Sequence, residues 1–135
     1  LLHDRALSML SQRESRDVDI SLLCDALDFL GTDYWETVFG SLSQENMLNN
    51  CSLKYQRPFS VAPIQDRTIA HTTTQYHIPY ADKPNVKETM HPLKLHLKVR
   101  NDSASLLRIY FFLDKRRQLI VIGSLPHHLK TITSF

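Results

Sequence analysis

LKLHLKVR, residues 93–100, decides how the chain is read. Leu93, Leu95, Leu97 and Val99 alternate with Lys94, His96, Lys98 and Arg100. A period of two over eight residues describes a β-strand with one apolar and one basic face. NDSAS follows as a turn. LLRIYFFLD and RQLIVIGS then read as two more strands, joined tightly at Asp114 to Arg116. The three runs predict an antiparallel meander. Few polar residues interrupt the second and third, so both are expected to be central and covered on both faces.

Upstream the pattern changes to helical spacing. Leu2 to Gln12 predicts a short helix. DVDISLLCDALDFLG (17–31) predicts a second, capped by Asp17 or Asp19, with Ile20, Leu23, Leu27 and Leu30 on one face and Gly31 as the stop. TDYWETVFGSL (32–42) predicts a third, starting at Thr32 or Asp33 with Glu36 as capping-box partner, and with Trp35 and Phe39 in the core. SQENMLNNC reads as one more helical turn. KYQRPFSVAPIQDR, with its two prolines, reads as an ordered loop or a sheet edge. TIAHTTTQYHIPY is rich in β-formers and predicts one strand over 68–80, and YADKPNVKETMHP reads as a connection.

The expected fold class is therefore α+β. Residues 1–135 form one domain, helical over 1–45, irregular with one strand over 46–92, and a β-meander over 93–131. N-terminal helices pack on one face of an antiparallel sheet of about four strands, drawn from 68–80, 93–100, 106–113 and 117–124.

Bulk composition agrees. With 135 residues, 42% hydrophobic and 22% charged, the chain has the size and balance of a single soluble globular domain. No apolar run approaches the ~20 residues of a membrane span. The opening LLHDRALSMLSQRES has no basic leader before an apolar block, so no secretory signal is expected. It also lacks an initiating methionine, as a trimmed chain or a piece of a larger protein would. Cys24 and Cys51 make no disulfide framework and fit a reducing, cytoplasmic setting. Cys24, in an apolar helical stripe, is expected to be buried rather than nucleophilic.

The net charge of +2 hides an asymmetry. Residues 1–66 hold 5 Lys/Arg against 10 Asp/Glu, and residues 67–135 hold 11 against 4, so a net of −5 precedes a net of +7. The second half thus points to a polyanionic partner or an acidic partner segment, unless the two halves face and cancel each other.

The alternating strand gives that charge a geometry. Same-face residues two apart lie ~6.6–6.8 Å apart, close to the spacing of phosphates along a nucleic-acid strand. Lys94, Lys98 and Arg100 can track such a backbone, with His96 between them. Arg108, Tyr110 and Phe112 share one face of the next strand. Rings interleaved with cations suit unpaired RNA, whose bases stack on aromatics. The competing reading is a plain solvated face, with Tyr110 and Phe112 under helices.

IVIGSLPHHLKT (120–131) closes the meander. Pro126 should end the strand, leaving His127 and His128 at its exit with Lys130 close behind. Histidine serves as acid or base near neutral pH. In RNA cleavage one group takes the 2′-hydroxyl proton, another protonates the leaving oxygen, and cations stabilise the charged phosphorane. His127 or His128 with Arg108, Lys98 and Lys130 fits those roles without metal. Adjacent residues in extended chain point opposite ways, so only one of the pair should face the site.

No metal site is expected: there is no CxxC, no HExxH, and no His pair at helical spacing with a carboxylate. No cofactor is expected either, since GxxxxGK[ST] and GxGxxG are both missing from the sequence.

Leu93 to Thr131 resembles the C-terminal half of the RelE/ParE/HigB-type toxins. There a Lys- or Arg-bearing strand leads to an R-I-x-[YF] strand, a charged turn, a [LIV]-x-[LIV] strand and a basic or His-bearing end. Lys94 and Lys98 match the first strand, Arg108, Ile109 and Tyr110 open the second, and His127, His128 and Lys130 follow the third. The resemblance covers about 39 of 135 residues. It implies an mRNA endoribonuclease acting on the ribosome, or a gyrase-binding relative that cuts nothing, with an acidic antitoxin covering the sheet. The function expected is an RNA-binding, metal-independent endoribonuclease of toxin type. The alternative is a non-catalytic protein- or nucleic-acid-binding module of a larger defence or mobile-element protein.

Overall fold

A computed structural model describes residues 1–11, 19–71, 73–99, 107–127 and 129, without the side chains of 71, 73 and 74. It is an α+β structure with a four-stranded antiparallel sheet. Strand β1 is Phe59–Pro63, β4 is Leu95–Val99, β5 is Ile109–Asp114 and β6 is Leu119–Ser124, in the order β1-β4-β5-β6. The last three form the expected meander. The fourth strand is not 68–80 but β1, from the segment read as a loop or an edge. Pro63 ends it, at an edge position where proline's missing N–H removes nothing from the ladder.

Residues 66–80 take another form. Asp66–His71 is helix α5, Thr73–Tyr76 is a single helical turn, α6, and only His77–Tyr80 (β2) is extended. β2 pairs with Thr89–Pro92 (β3) as a separate two-stranded hairpin. Tertiary ties overrule the β-propensity of the threonine run. The Arg5 guanidinium donates to the carbonyls of Gln75 and His77 at 2.5 and 3.2 Å, and Leu93 N–H donates to Tyr76 O at 2.6 Å.

On the N-terminal side, α1 (Asp4–Leu10) precedes α2 (Ile20–Phe29). Asp19 caps α2, its Oδ1 accepting from Ser21 N–H at 2.9 Å and Leu22 N–H at 3.3 Å. Gly31 does not stop this helix. The chain widens into a π-helical turn over Leu30–Tyr34 and runs on as α3 (Trp35–Phe39), so Thr32 and Asp33 cap nothing. The wide turn brings Phe29, Leu30 and Tyr34 together into the core. The expected stripe holds in part: Leu30 is buried and Leu23 and Leu27 pack partly buried against the core, but Ile20 is 73% exposed, and Ala26 and Phe29 complete the buried face. Cys24 is exposed as well, and Cys51 is the buried cysteine. Trp35 and Phe39 pack at the rim of the core, partly buried. Helix α4 (Gln44–Tyr55), capped by the Ser43 hydroxyl, is three turns where one was expected.

These helices cover one face of the sheet. Leu97, Ile109, Phe111, Ile120 and Ile122 meet Phe29, Leu30, Tyr34 and Phe59 there, with the Phe29 and Phe59 rings 5.5 Å apart. The other face is closed by α5, α6 and the hairpin, whose Ile69, Tyr76, Ile78 and Tyr80 pack on Tyr110, Phe112 and Val121. A register shift opposite Tyr110 and Phe111 leaves Gly123 as the extra residue of β6. A Cβ there would lie 2.7 Å from Leu93 Cδ2 and 3.1 Å from Ile78, so glycine permits the hairpin's close approach.

β5 is central and buried on both faces, as expected. β6 instead ends the sheet, but Leu1 and Leu2 lie parallel beside it. Ile122 N–H donates to Leu1 O and His3 N–H to Ile122 O, both at 2.9 Å. At the opposite edge, no strand pairs with the outer side of β1 among the described residues. No helix among them is long and apolar enough to cross a membrane.

Candidate functional site

The basic face of β4 does share a side of the sheet with Tyr110 and Phe112. His96 and Tyr110 are cross-strand partners with rings 5.7 Å apart and 33° from parallel. Yet this side is not an open platform. Tyr110 is 2% exposed, lying edge-on to Tyr76 at 5.6 Å. Its hydroxyl accepts from Leu129 N–H at 3.0 Å and from the Tyr76 hydroxyl. Burial raises the Tyr110 pKa, although the Leu129 N–H and the nearby Arg108 charge favour the phenolate. Tyr110 therefore cannot stack on a base as expected, and Phe112, 8% exposed, cannot either. The sequence shows that these rings alternate with apolar neighbours but not which layer covers them.

What remains accessible lies at the two ends of β4. At its C-terminal end, Lys98 and Arg108 sit one register step beyond the Leu97–Ile109 pair, both half-buried. Arg108 N–H donates to Pro126 O at 2.8 Å, so the proline that ends the strand still offers its carbonyl to the neighbouring one. His127, half-buried, follows directly. With Pro126 tied to Arg108 and Leu129 to Tyr110, the segment carrying His127 is anchored at both ends. Arg100, His128 and Lys130, expected at the same surface, lie outside the described residues.

At the other end the chain does something the sequence did not signal. β4 begins at Leu95, opposite Phe111, whereas β5 continues to Asp114. Phe112 to Asp114 thus have β6 on one side and no strand in the β4 position on the other. A cleft of about 500 Å³ occupies this notch, lined by Asp66, Lys94 and Lys115 together with the imidazole of His91. Lys94 was expected along the β4 surface and belongs here instead. His91, from a stretch read as a connection, is held firmly. Its ring stacks on Phe112 at 5.2 Å and 15°, stands edge-on to Tyr80 at 5.4 Å, and its Nε2 is 3.2 Å from Thr89 Oγ1.

Behind this wall, Tyr80 donates to Asp114 Oδ2 at 2.6 Å, and Arg117 Nε donates to the same oxygen at 2.9 Å while its guanidinium also meets the Tyr80 hydroxyl and lies over the ring. Burial and the bond to Asp114 push the Tyr80 pKa up to about 12. For Asp114, burial opposes ionisation, but bonds from Tyr80 and Arg117 outweigh it and hold the carboxyl below its ordinary range. Among the described residues no three His, Cys, Asp or Glu side chains converge as metal ligands.

Among the described residues the ion pairs form within each half of the chain. Lys54 pairs with Asp33 at 3.0 Å, Arg57 with Asp25 at 2.6 Å and Arg117 with Asp114 at 2.9 Å. Comparison of the chain with protein-family models, with curated proteins and with solved structures returned no match.

Proposed function

We propose that this chain binds a single strand of RNA at the sheet end formed by Lys98, Arg108 and His127, and cuts it there without metal, in the manner that its likeness to RelE/ParE/HigB-type toxins implies. The observation that carries the reading is the anchoring of His127 beside Arg108, through Pro126 and Leu129. Arg108 and Lys98 supply charge to a phosphate and to the phosphorane that forms from it. His127 moves a proton to or from the reacting oxygens. The meander β4-β5-β6 has the strand order that the resemblance needs. An acidic antitoxin and a cytoplasmic setting belong to the same reading.

A second reading, a non-catalytic binding module, is favoured by the burial of Tyr110, which removes the expected stacking ring. One experiment separates them. Unstructured RNA is incubated in excess EDTA with the wild type, His127→Ala and His128→Ala. Cleavage by the wild type and its loss in one histidine variant, with RNA binding retained, upholds the enzyme. Binding without cleavage in all three supports the module. If affinity does not fall between low and physiological salt, neither nucleic-acid reading survives.

A further inference from the structure

We propose that the cleft beside Phe112 binds a nucleoside monophosphate, as a second site separate from the Lys98 end of the sheet. The chemistry of its lining selects that class. Lys94 and Lys115 are exposed cations lining the same cleft, one just before β4 and one just after β5. Two ammonium groups facing one space suit a phosphate dianion. The rest of the lining is largely apolar, with Pro63 exposed, Pro92 half-buried and the Phe112 ring already covered by His91. The proline rings offer an apolar surface to a planar ring, and Asp66, exposed in the same lining, offers an acceptor to a ribose hydroxyl or an exocyclic amine. The volume, about 500 Å³, lies within the range of small-molecule sites.

The site is also pre-formed. His91 is fixed between Phe112 and Tyr80, and Lys115 follows Asp114, whose carboxylate is pinned by Tyr80 and Arg117. Groups already ordered before binding lose little freedom when the ligand arrives. The notch itself arises because β4 starts three residues short of the end of β5. It therefore belongs to the sheet rather than to a loose loop.

Calorimetry with 5′-AMP, adenosine and inorganic phosphate tests this. 5′-AMP should bind more tightly than either fragment. Lys94→Ala and Lys115→Ala should each weaken it about tenfold or more, the loss expected of a charge-assisted contact, and Lys87→Ala, exposed and outside the cleft lining, should leave it unchanged. Both cleft lysines are exposed, so unchanged unfolding midpoints will show that the variants fold. A 5′-phosphorylated trinucleotide tells the ligand's source. Binding tighter than that of 5′-AMP and weakened by Lys94→Ala marks the end of an RNA strand, weaker binding marks a free nucleotide, and both uphold the cleft. No binding of 5′-AMP at millimolar concentration overturns the proposal. So does inorganic phosphate binding as tightly as 5′-AMP, or a Lys87→Ala loss equal to that of Lys94→Ala. Cleavage of RNA is measured independently, so this site can fail while the Lys98 end stands, and the reverse.

Discussion

The two faces of the sheet are buried by different means. On one, a long helical layer sets Phe29, Leu30 and Tyr34 against Leu97, Ile109 and Phe111, and the seal is mostly hydrocarbon. On the other, two short helices and a hairpin of two four-residue strands provide too little apolar surface for that. Tyrosines fill the gap, and their hydroxyls are satisfied in pairs: Tyr76 to Tyr110, and Tyr80 to Asp114. A ring with a polar tip brings apolar area to a thin layer only if the tip finds a partner. The first face should therefore depend on volume, and the second on hydrogen bonds and close fit.

Four measurements sharpen or break this contrast. Phe111→Ala should have the largest effect, lowering stability by about 3–5 kcal/mol in urea unfolding, through lost burial and the cavity left behind. If Tyr110→Phe, which only removes a hydroxyl, costs nothing, the distinction fails. Next comes Gly123→Ala. Its methyl would meet Leu93 Cδ2 at 2.7 Å, so a loss of about 1–3 kcal/mol is expected from overpacking on the second face.

Smaller still is Tyr80→Phe, at about 1 kcal/mol for one hydrogen bond. This variant also has a pH signature. The Asp114 carboxyl is held below its ordinary range when folded, so its contribution is present above the unfolded carboxyl's pKa and is lost as pH falls through the lower folded value. Asp114→Asn should flatten the acid limb of stability, and Tyr80→Phe should flatten it in part. An acid limb unchanged in Asp114→Asn would remove Asp114 from the account. The least effect on folding is expected from Lys98→Ala, within about 0.5 kcal/mol. Its consequence should appear in RNA binding alone, as a salt slope reduced by about one.

The legible part of the fold was the part written in strict periodicity. Leu95, Leu97 and Val99 against His96 and Lys98 fixed both the strand and the direction of its side chains. What alternation leaves open is the cover. Lys and His between apolar residues read as a solvated face, but His96 lies against Tyr110 beneath α6. That layer was illegible because it is made by long-range ties. Arg5, some seventy residues away, holds the carbonyls of Gln75 and His77 and turns a threonine-rich run into helix and hairpin. The candidate sites divide the same way. Lys98, Arg108 and His127 were found from strand position and the Pro126 stop. His91 and Lys115 were missed because the cleft exists only where β4 is shorter than β5, a property of register rather than of any local motif.

The two edges of the sheet carry one more consequence. Leu1 to His3 lie along β6, while the outer side of β1 has no strand beside it among the described residues. A sheet with both edges bare can recruit copies without limit. Among the described residues, the four-stranded sheet keeps an unpaired ladder at β1, a place where a further strand can add. Leu1 to His3 shield the other edge, at β6, from the same addition.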